Sequence, residues 1–286
     1  MIEEPLFSML GPAAPQSPVV LAVPHAGRRY PVDLVERARV PIARLRALED
    51  RMADGLVDLA VAQGATAIVV RLARAAIDVN RDPREIDPSM IEEEVAPREV
   101  QISGKVRSGL GLFPRRLPAC GELWRRRMAL ADVRGRIETM HIPYHRTISE
   151  RLAATRAVFG AAVLIDCHSM PPLPVRESGG PVRIVIGDRF GASASSALID
   201  MVLAVVEGAG LRAARNHPYP GGHSTERHGR PNTGIHALQI EFDRTLYLDA
   251  SLDQPGPGFA ACRQLVADIA REIGAMLASH WPMAAE

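Results

Sequence analysis

Short runs that are apolar on both faces recur along this chain between stretches of helical periodicity, and that alternation restricts the possible folds more than any other feature. The runs are Val19–Val23, stopped by Pro24, then Ala67–Val70, Ala76–Val79, Ala161–Ile165, Arg183–Ile186 and His236–Phe242. Strands apolar on both faces belong in a sheet covered on both sides. Helical patterns fall at roughly 41–63, 122–158, 191–208 and 257–280. Strand and helix in alternation predict a layered α/β domain. Pro143 interrupts the second helical stretch and predicts a kink or break near His141-Ile142. The segment 83–121 holds five prolines and four glycines and follows no period. It reads as an irregular insertion inside one domain spanning 1–286, placed directly after Asn80-Arg81 where it would cap a site.

Composition excludes several classes. With 286 residues, 47% hydrophobic and 23% charged, the chain can bury a full core unaided. Lys and Arg number 34 against 33 Asp and Glu, for a net charge of +1. That balance gives no support to a nucleic-acid partner or a polybasic membrane surface. Cys120, Cys167 and Cys262 are widely spaced and odd in number, so neither a disulfide framework nor a CxxC zinc motif is expected. The start, Met1-Ile2-Glu3-Glu4, is acidic where a signal peptide is basic, and no apolar run approaches a membrane span. The expectation is a reduced, cytoplasmic protein.

Polar clusters sit at the predicted strand ends, where α/β sheets place their ligands. His25 follows the first run in Val23-Pro24-His25-Ala26-Gly27. Asp166-Cys167-His168-Ser169-Met170 ends the fourth, and delivers a histidine suited to metal ligation or base catalysis, with Asp166 as a partner that fixes its tautomer. Glu241 ends the last run inside apolar surroundings, which suits either a general base or an ion pair with Arg244. Asp78-Val79-Asn80-Arg81 offers a fork for a carboxylate, or a surface turn with a local ion pair. Either carboxylate of Glu49-Asp50 would complete a His, His, carboxylate zinc set. Gly221-Gly222-His223 permits a close backbone approach or a mobile flap. No GxSxG elbow occurs, and strand alternation turns Cys167 away from His168.

Taken in order, these motifs, with Leu48-Glu49-Asp50-Arg51, Gly109-Leu110-Gly111-Leu112-Phe113-Pro114-Arg115, Pro143-Tyr144-His145, Gly187-Asp188-Arg189-Phe190-Gly191, Pro218-Tyr219-Pro220-Gly221-Gly222 and His236 to Glu241, resemble the N-formylglutamate amidohydrolase family. The resemblance covers residues 19 to about 250. It implies a single three-layer α/β/α domain with a mixed, mostly parallel sheet, related to zinc carboxypeptidases and aspartoacylase-type deacylases. It implies one Zn2+ held by His25, His168 and a carboxylate, Asp50 in preference to Glu49. Zinc carboxypeptidases carry that carboxylate three residues after the first histidine, where this chain has Arg28. Glu241 matches the general base. Asn80 and Arg81 match the pair that holds a substrate carboxylate, and Arg176, Arg183 or Arg227 would take a second one. The implied reaction is hydrolysis of an N-acyl amino acid, N-formyl-L-glutamate first, to formate and glutamate. Alternatives are a deacylase for another acyl amino acid, or a binding protein for small acidic ligands on the same fold. Many family members read His-Tyr-Gly where this chain has Arg227-His228-Gly229. That departure points to a different acyl or side-chain preference if the loop meets substrate.

Overall fold

The computed structural model describes residues 5–174 and 180–280. They divide into two compact units: residues 5–8, 24–49 and 70–147 form the first, and 9–23, 50–69, 148–174 and 180–280 the second.

The second unit is built on the sheet. The strands of the sheet are β1 (Phe7–Leu10), β2 (Val19–Val23), β3 (Thr66–Val70), β4 (Ala162–Met170), β5 (Ile184–Gly187), β6 (Ala213–Arg215) and β7 (Ile235–Asp243). They lie in the order β1-β3-β2-β4-β7-β5-β6. Strands β3, β2, β4 and β7 run parallel, and β5 turns antiparallel to β7 with β6 parallel to β5. The sheet is therefore mixed and mostly parallel, in an α/β fold. Every residue of β2, β3 and β4 is buried, as two-sided coverage requires. The principal helices of this unit are α1 (Asp58–Ala62), α2 (Ile142–Phe159, most of it in this unit), α3 (Ser196–Gly208), α4 (His223–His228), α5 (Arg244–Tyr247) and α6 (Phe259–His280). Helix α6 buries Cys262, Leu265, Val266, Ile269 and Ile273, a helical stripe, and packs on β2, α1 and α3. Arg151 of α2 crosses the core and donates to Thr66 Oγ1 from Nε at 2.9 Å and to the Ala13 carbonyl at 2.7 Å.

Several sequence expectations change here. Ala76–Val79 is not a strand but a buried turn: Ala76 N–H donates to Ala73 O, and Asp78 N–H to Leu112 O. Apolar content buries a segment, but a strand also needs a neighbour for its backbone. The helical stretch 41–63 is four short pieces, separated at Glu49–Met52, where Met52 takes a left-handed φ of 60°. The stretch from 122 becomes helical only at Leu130, after a two-stranded ribbon of Arg116–Leu117 with Gly121–Glu122. Pro143 produces no break. A π-helical turn at Ile137–His141 precedes it and the helix continues, which absorbs the missing N–H. Strands β1 and β6 lacked a two-sided apolar run and went unforeseen. The first unit holds the 83–121 segment, which contains 3₁₀ turns, the helical turn Gly104–Arg107 and part of that ribbon. Among the described residues no helix is long and apolar enough to cross a membrane.

Candidate functional site

The pairing register of β4 and β7 assembles the chemistry of the second unit. His168 stands opposite Glu241, and Asp166 opposite Gln239. Residues paired across adjacent strands share a face, so one face carries Asp166, His168, Gln239 and Glu241. Cys167 lies between them on the other face, and burial followed by the Asp166 charge pushes its thiol up, far from a reactive thiolate. His168 lies between two carboxylates: its Nε2 is 3.0 Å from Asp166 Oδ2 and its Nδ1 is 3.1 Å from Asp50 Oδ2. Burial disfavours charge on this ring, but Asp166, Asp50 and Glu241 outweigh it and hold the ring well above the usual histidine range. The surroundings of His168 are thus made for a cation. Glu241 Oε1 accepts from Gln239 Nε2 at 2.8 Å.

Gly187 of β5 pairs with Gln239, on the same face. A Cβ there would lie 2.7 Å from the Tyr219 carbonyl oxygen, Pro220 C and Gly221 N. The missing side chain lets the Tyr219–Gly221 backbone lie on the face that carries Glu241. The Tyr219 phenol is pushed up by burial and by the charges of Glu241 and Asp50, against Arg244. The Pro-Tyr-Pro-Gly-Gly motif is therefore part of the site.

In the first unit, His25 lies two residues beyond the end of β2 and is 3% exposed. Its Nε2 is 2.8 Å from Asp78 Oδ1. Asp78 is fully buried and also takes Arg74 Nη2 at 2.7 Å, Arg81 Nη2 at 3.5 Å and the Asn80 N–H at 2.9 Å. Burial opposes its charge, yet Arg74, Arg81 and His25 hold its carboxyl well below the usual range. Arg81 donates from Nε to Leu110 O and from Nη1 to Asn80 O, each at 2.8 Å. His141 Nε2 lies 2.8 Å from Arg81 O, and His145 Nε2 lies 2.8 Å from Val79 O. The Gly-Leu-Gly-Leu and Pro-Tyr-His motifs thus both serve to hold the Asp78–Arg81 turn. Glu49 is engaged by the Tyr30 hydroxyl.

Of the remaining residues expected from the sequence, Arg183 pairs with Asp243 at 3.0 Å and donates to Thr245 Oγ1 at 3.0 Å. Arg227 is exposed on α4, and Arg176 lies outside the described residues. Arg244 contacts Asp50 at 3.2 Å and Ser169 at 3.1 Å. Asp78 as the partner of His25, Gln239 as the partner of Glu241, and Ser169 and Arg244 around Asp50 escaped sequence reasoning. The only signal for Asp78 was a carboxylate inside an apolar run.

His228 is buried, and burial together with Arg227, His223 and Arg230 lowers its pKa to about 3. Unfolded, it titrates near its ordinary value of about 6.5. Between those values the unfolded chain binds the extra proton, so stability falls as pH drops below about 6.5. Thermal melts across pH 7 to 4 should show a smaller acid loss for His228→Gln than for the wild type. Equal losses would mean that His228 is protonated in the folded chain.

A family model described as N-formylglutamate amidohydrolase matches residues 17–248, a span that includes every strand except β1. The chain is 31% identical to the N-formylglutamate deformylase of Pseudomonas aeruginosa over 236 residues, covering 81% of this chain and 82% of that one. The deformylase of Pseudomonas putida is 29% identical over 234 residues, with the same coverage. The crystal structure of N-formylglutamate amidohydrolase from Ralstonia eutropha JMP134 superposes with a TM-score of 0.87 at 30% identity, covering 96% of this chain and 99% of that one. The protein is thus a hydrolase that acts on an amide bond. It belongs to the N-formylglutamate amidohydrolase family.

Proposed function

We propose that this protein hydrolyses the formyl amide of N-formyl-L-glutamate, with one Zn2+ held by His25, Asp50 and His168. The observation that carries the metal assignment is the same on both histidines. Each turns Nε2 to a fully buried carboxylate, Asp78 for His25 and Asp166 for His168. Metal-ligating histidines have this arrangement, with the carboxylate orienting the ring and the other nitrogen on the ion. Both rings would then ligate through Nδ1, and on His168 that atom already faces Asp50. Two histidines and one carboxylate are the donor set of hydrolytic zinc sites. Asp50 is taken over Glu49 because its Oδ2 faces His168 Nδ1, whereas Glu49 is engaged by the Tyr30 hydroxyl. When bound, zinc supplies a water of lowered pKa and polarises the amide oxygen.

Glu241, level with His168 in the sheet, takes the proton from the attacking water and passes it to the departing amine. The C–N bond breaks, formate keeps the new oxygen, and glutamate leaves as the amine. Asn80 and Arg81 clamp the α-carboxylate of the substrate. The carbonyls of Leu110 and Asn80 each accept from Arg81, and Asp78 lies 3.5 Å from its Nη2, which fixes the plane of the guanidinium. Arg183 and Arg227 are assigned to the side-chain carboxylate. A different acyl amino acid is the second reading, favoured by Arg227-His228 at the end of helix α4, where the resemblance departs from the family pattern. The three cysteines are free, which agrees with a cytoplasmic setting.

Metal analysis of the purified protein, paired with formate release from N-formyl-L-glutamate with and without chelator, tests the proposal. One zinc per chain and chelator-sensitive release are expected. Zinc without release overturns the substrate and leaves the site. Release from metal-free protein overturns the metal.

A further inference from the structure

Asp50 is 2% exposed, and its two oxygens have different neighbours. Oδ2 faces His168 Nδ1 at 3.1 Å. Oδ1 accepts from Ser169 Oγ at 2.9 Å and from Arg244 Nη2 at 3.2 Å, while Arg244 Nε donates to Ser169 Oγ at 3.1 Å. These three bonds close a ring around Oδ1 and fix the plane of the carboxylate. The parts that hold the ring are themselves fixed. Ser169 is next to His168 on β4, and Arg244 opens α5, capped by Asp243 Oδ1, which accepts from Thr245 N–H at 2.9 Å. At the other end of α5, Tyr247 donates its hydroxyl to Arg51 O at 2.8 Å. The four-residue helix thus grips residues 50 and 51 at both ends, just before the left-handed Met52.

We propose that Ser169 and Arg244 are positioning residues that make Asp50 a one-oxygen metal ligand, holding Oδ1 away so that Oδ2 alone meets the ion. This rests on the reading of His25, Asp50 and His168 as the metal ligands. A carboxylate with both oxygens available can chelate the ion and occupy the coordination position that a four-coordinate site leaves for the attacking water. Holding one oxygen with a hydroxyl and a guanidinium keeps that position open.

The test uses the full chain as wild type, Ser169→Ala, Arg244→Lys and Asp50→Asn. Arg244→Lys keeps the charge and loses the fork, which separates geometry from electrostatics. Zinc affinity is read by competition with a chromophoric chelator, and coordination by the visible spectrum of the cobalt(II)-loaded protein. Ser169→Ala and Arg244→Lys should each weaken zinc by about 10–100-fold. Both should also shift the cobalt bands from the intense four-coordinate pattern toward a weaker, five-coordinate one. A merely structural role would lower the melting temperature and move neither readout. Wild-type affinity with an unchanged spectrum in both variants overturns the clamp while the metal site stands. Undiminished zinc binding by Asp50→Asn removes Asp50 as a ligand and the clamp with it. Wild-type protein that takes up no metal overturns both readings. If Arg244→Lys fails to fold, Ser169→Ala, which deletes one oxygen, decides alone.

Discussion

Glu241→Gln should lower kcat for formate release by about 10²–10⁴-fold, the usual contribution of a positioned general acid–base group. The variant should keep any zinc the wild type holds, because Glu241 stands beside His168, a proposed ligand, and is not itself assigned as one. Glutamine has nearly the same shape as glutamate, and Gln239 Nε2 can donate to its amide oxygen as it does to Glu241 Oε1. Folding and KM should therefore change little, and the loss should fall on kcat, as it does for an interaction made only in the transition state. A kcat within tenfold of wild type, measured on protein with one zinc per chain, would remove Glu241 as the base. Loss of metal in the same variant would instead make Glu241 a ligand.

Asp78→Ala should be the most damaging substitution for stability in the first unit. Asp78 is fully buried and is shared by Arg74, Arg81 and His25, with the Asn80 N–H as a fourth donor. Arg74 and Arg81 are themselves 15% and 9% exposed. Removing one partner of such a buried group leaves charge without compensation and costs about 3–5 kcal/mol. That is a large share of a typical total of about 5–15 kcal/mol. Chemical denaturation should show the loss in both metal-free and metal-loaded protein. Asp78→Asn keeps the volume and one acceptor, so it should fold better than the alanine variant and still bind zinc weakly, since His25 loses its anionic partner. A melting temperature for Asp78→Ala within about 2 °C of wild type would mean that the arginines find other acceptors.

The motifs that carry the resemblance are short and local, so they are visible in the sequence without the fold. His25, Asp166-Cys167-His168 and Glu241 all lie on or just past strands that the apolar runs had already marked. The errors share a cause. Ala76–Val79 looked like a strand because burial and strand pairing leave the same apolar trace, and here the burial serves a turn wrapped around Asp78. The stretch 41–63 looked like one helix because periodicity does not register a local break, and the break at Glu49–Met52 is what carries Asp50 to His168. Asn80 and Arg81 stood out in the sequence as ligand-binding groups, and in the fold Arg81 also holds the backbone carbonyls of Asn80 and Leu110.

By itself the sequence determined the alternation of strand and helix, and hence the α/β class. It also determined the residue types from which the proposed site is drawn, and their order along the chain. Those are local properties, written in composition and spacing. The tertiary structure decided which groups meet: Glu241 level with His168, Asp78 behind His25, and Ser169 with Arg244 around Asp50, 119 and 194 residues away in sequence. Such contacts depend on strand register and on how the chain crosses between strands. A one-residue slip in the pairing of β4 with β7 would carry Glu241 to the opposite face and leave every local motif unchanged.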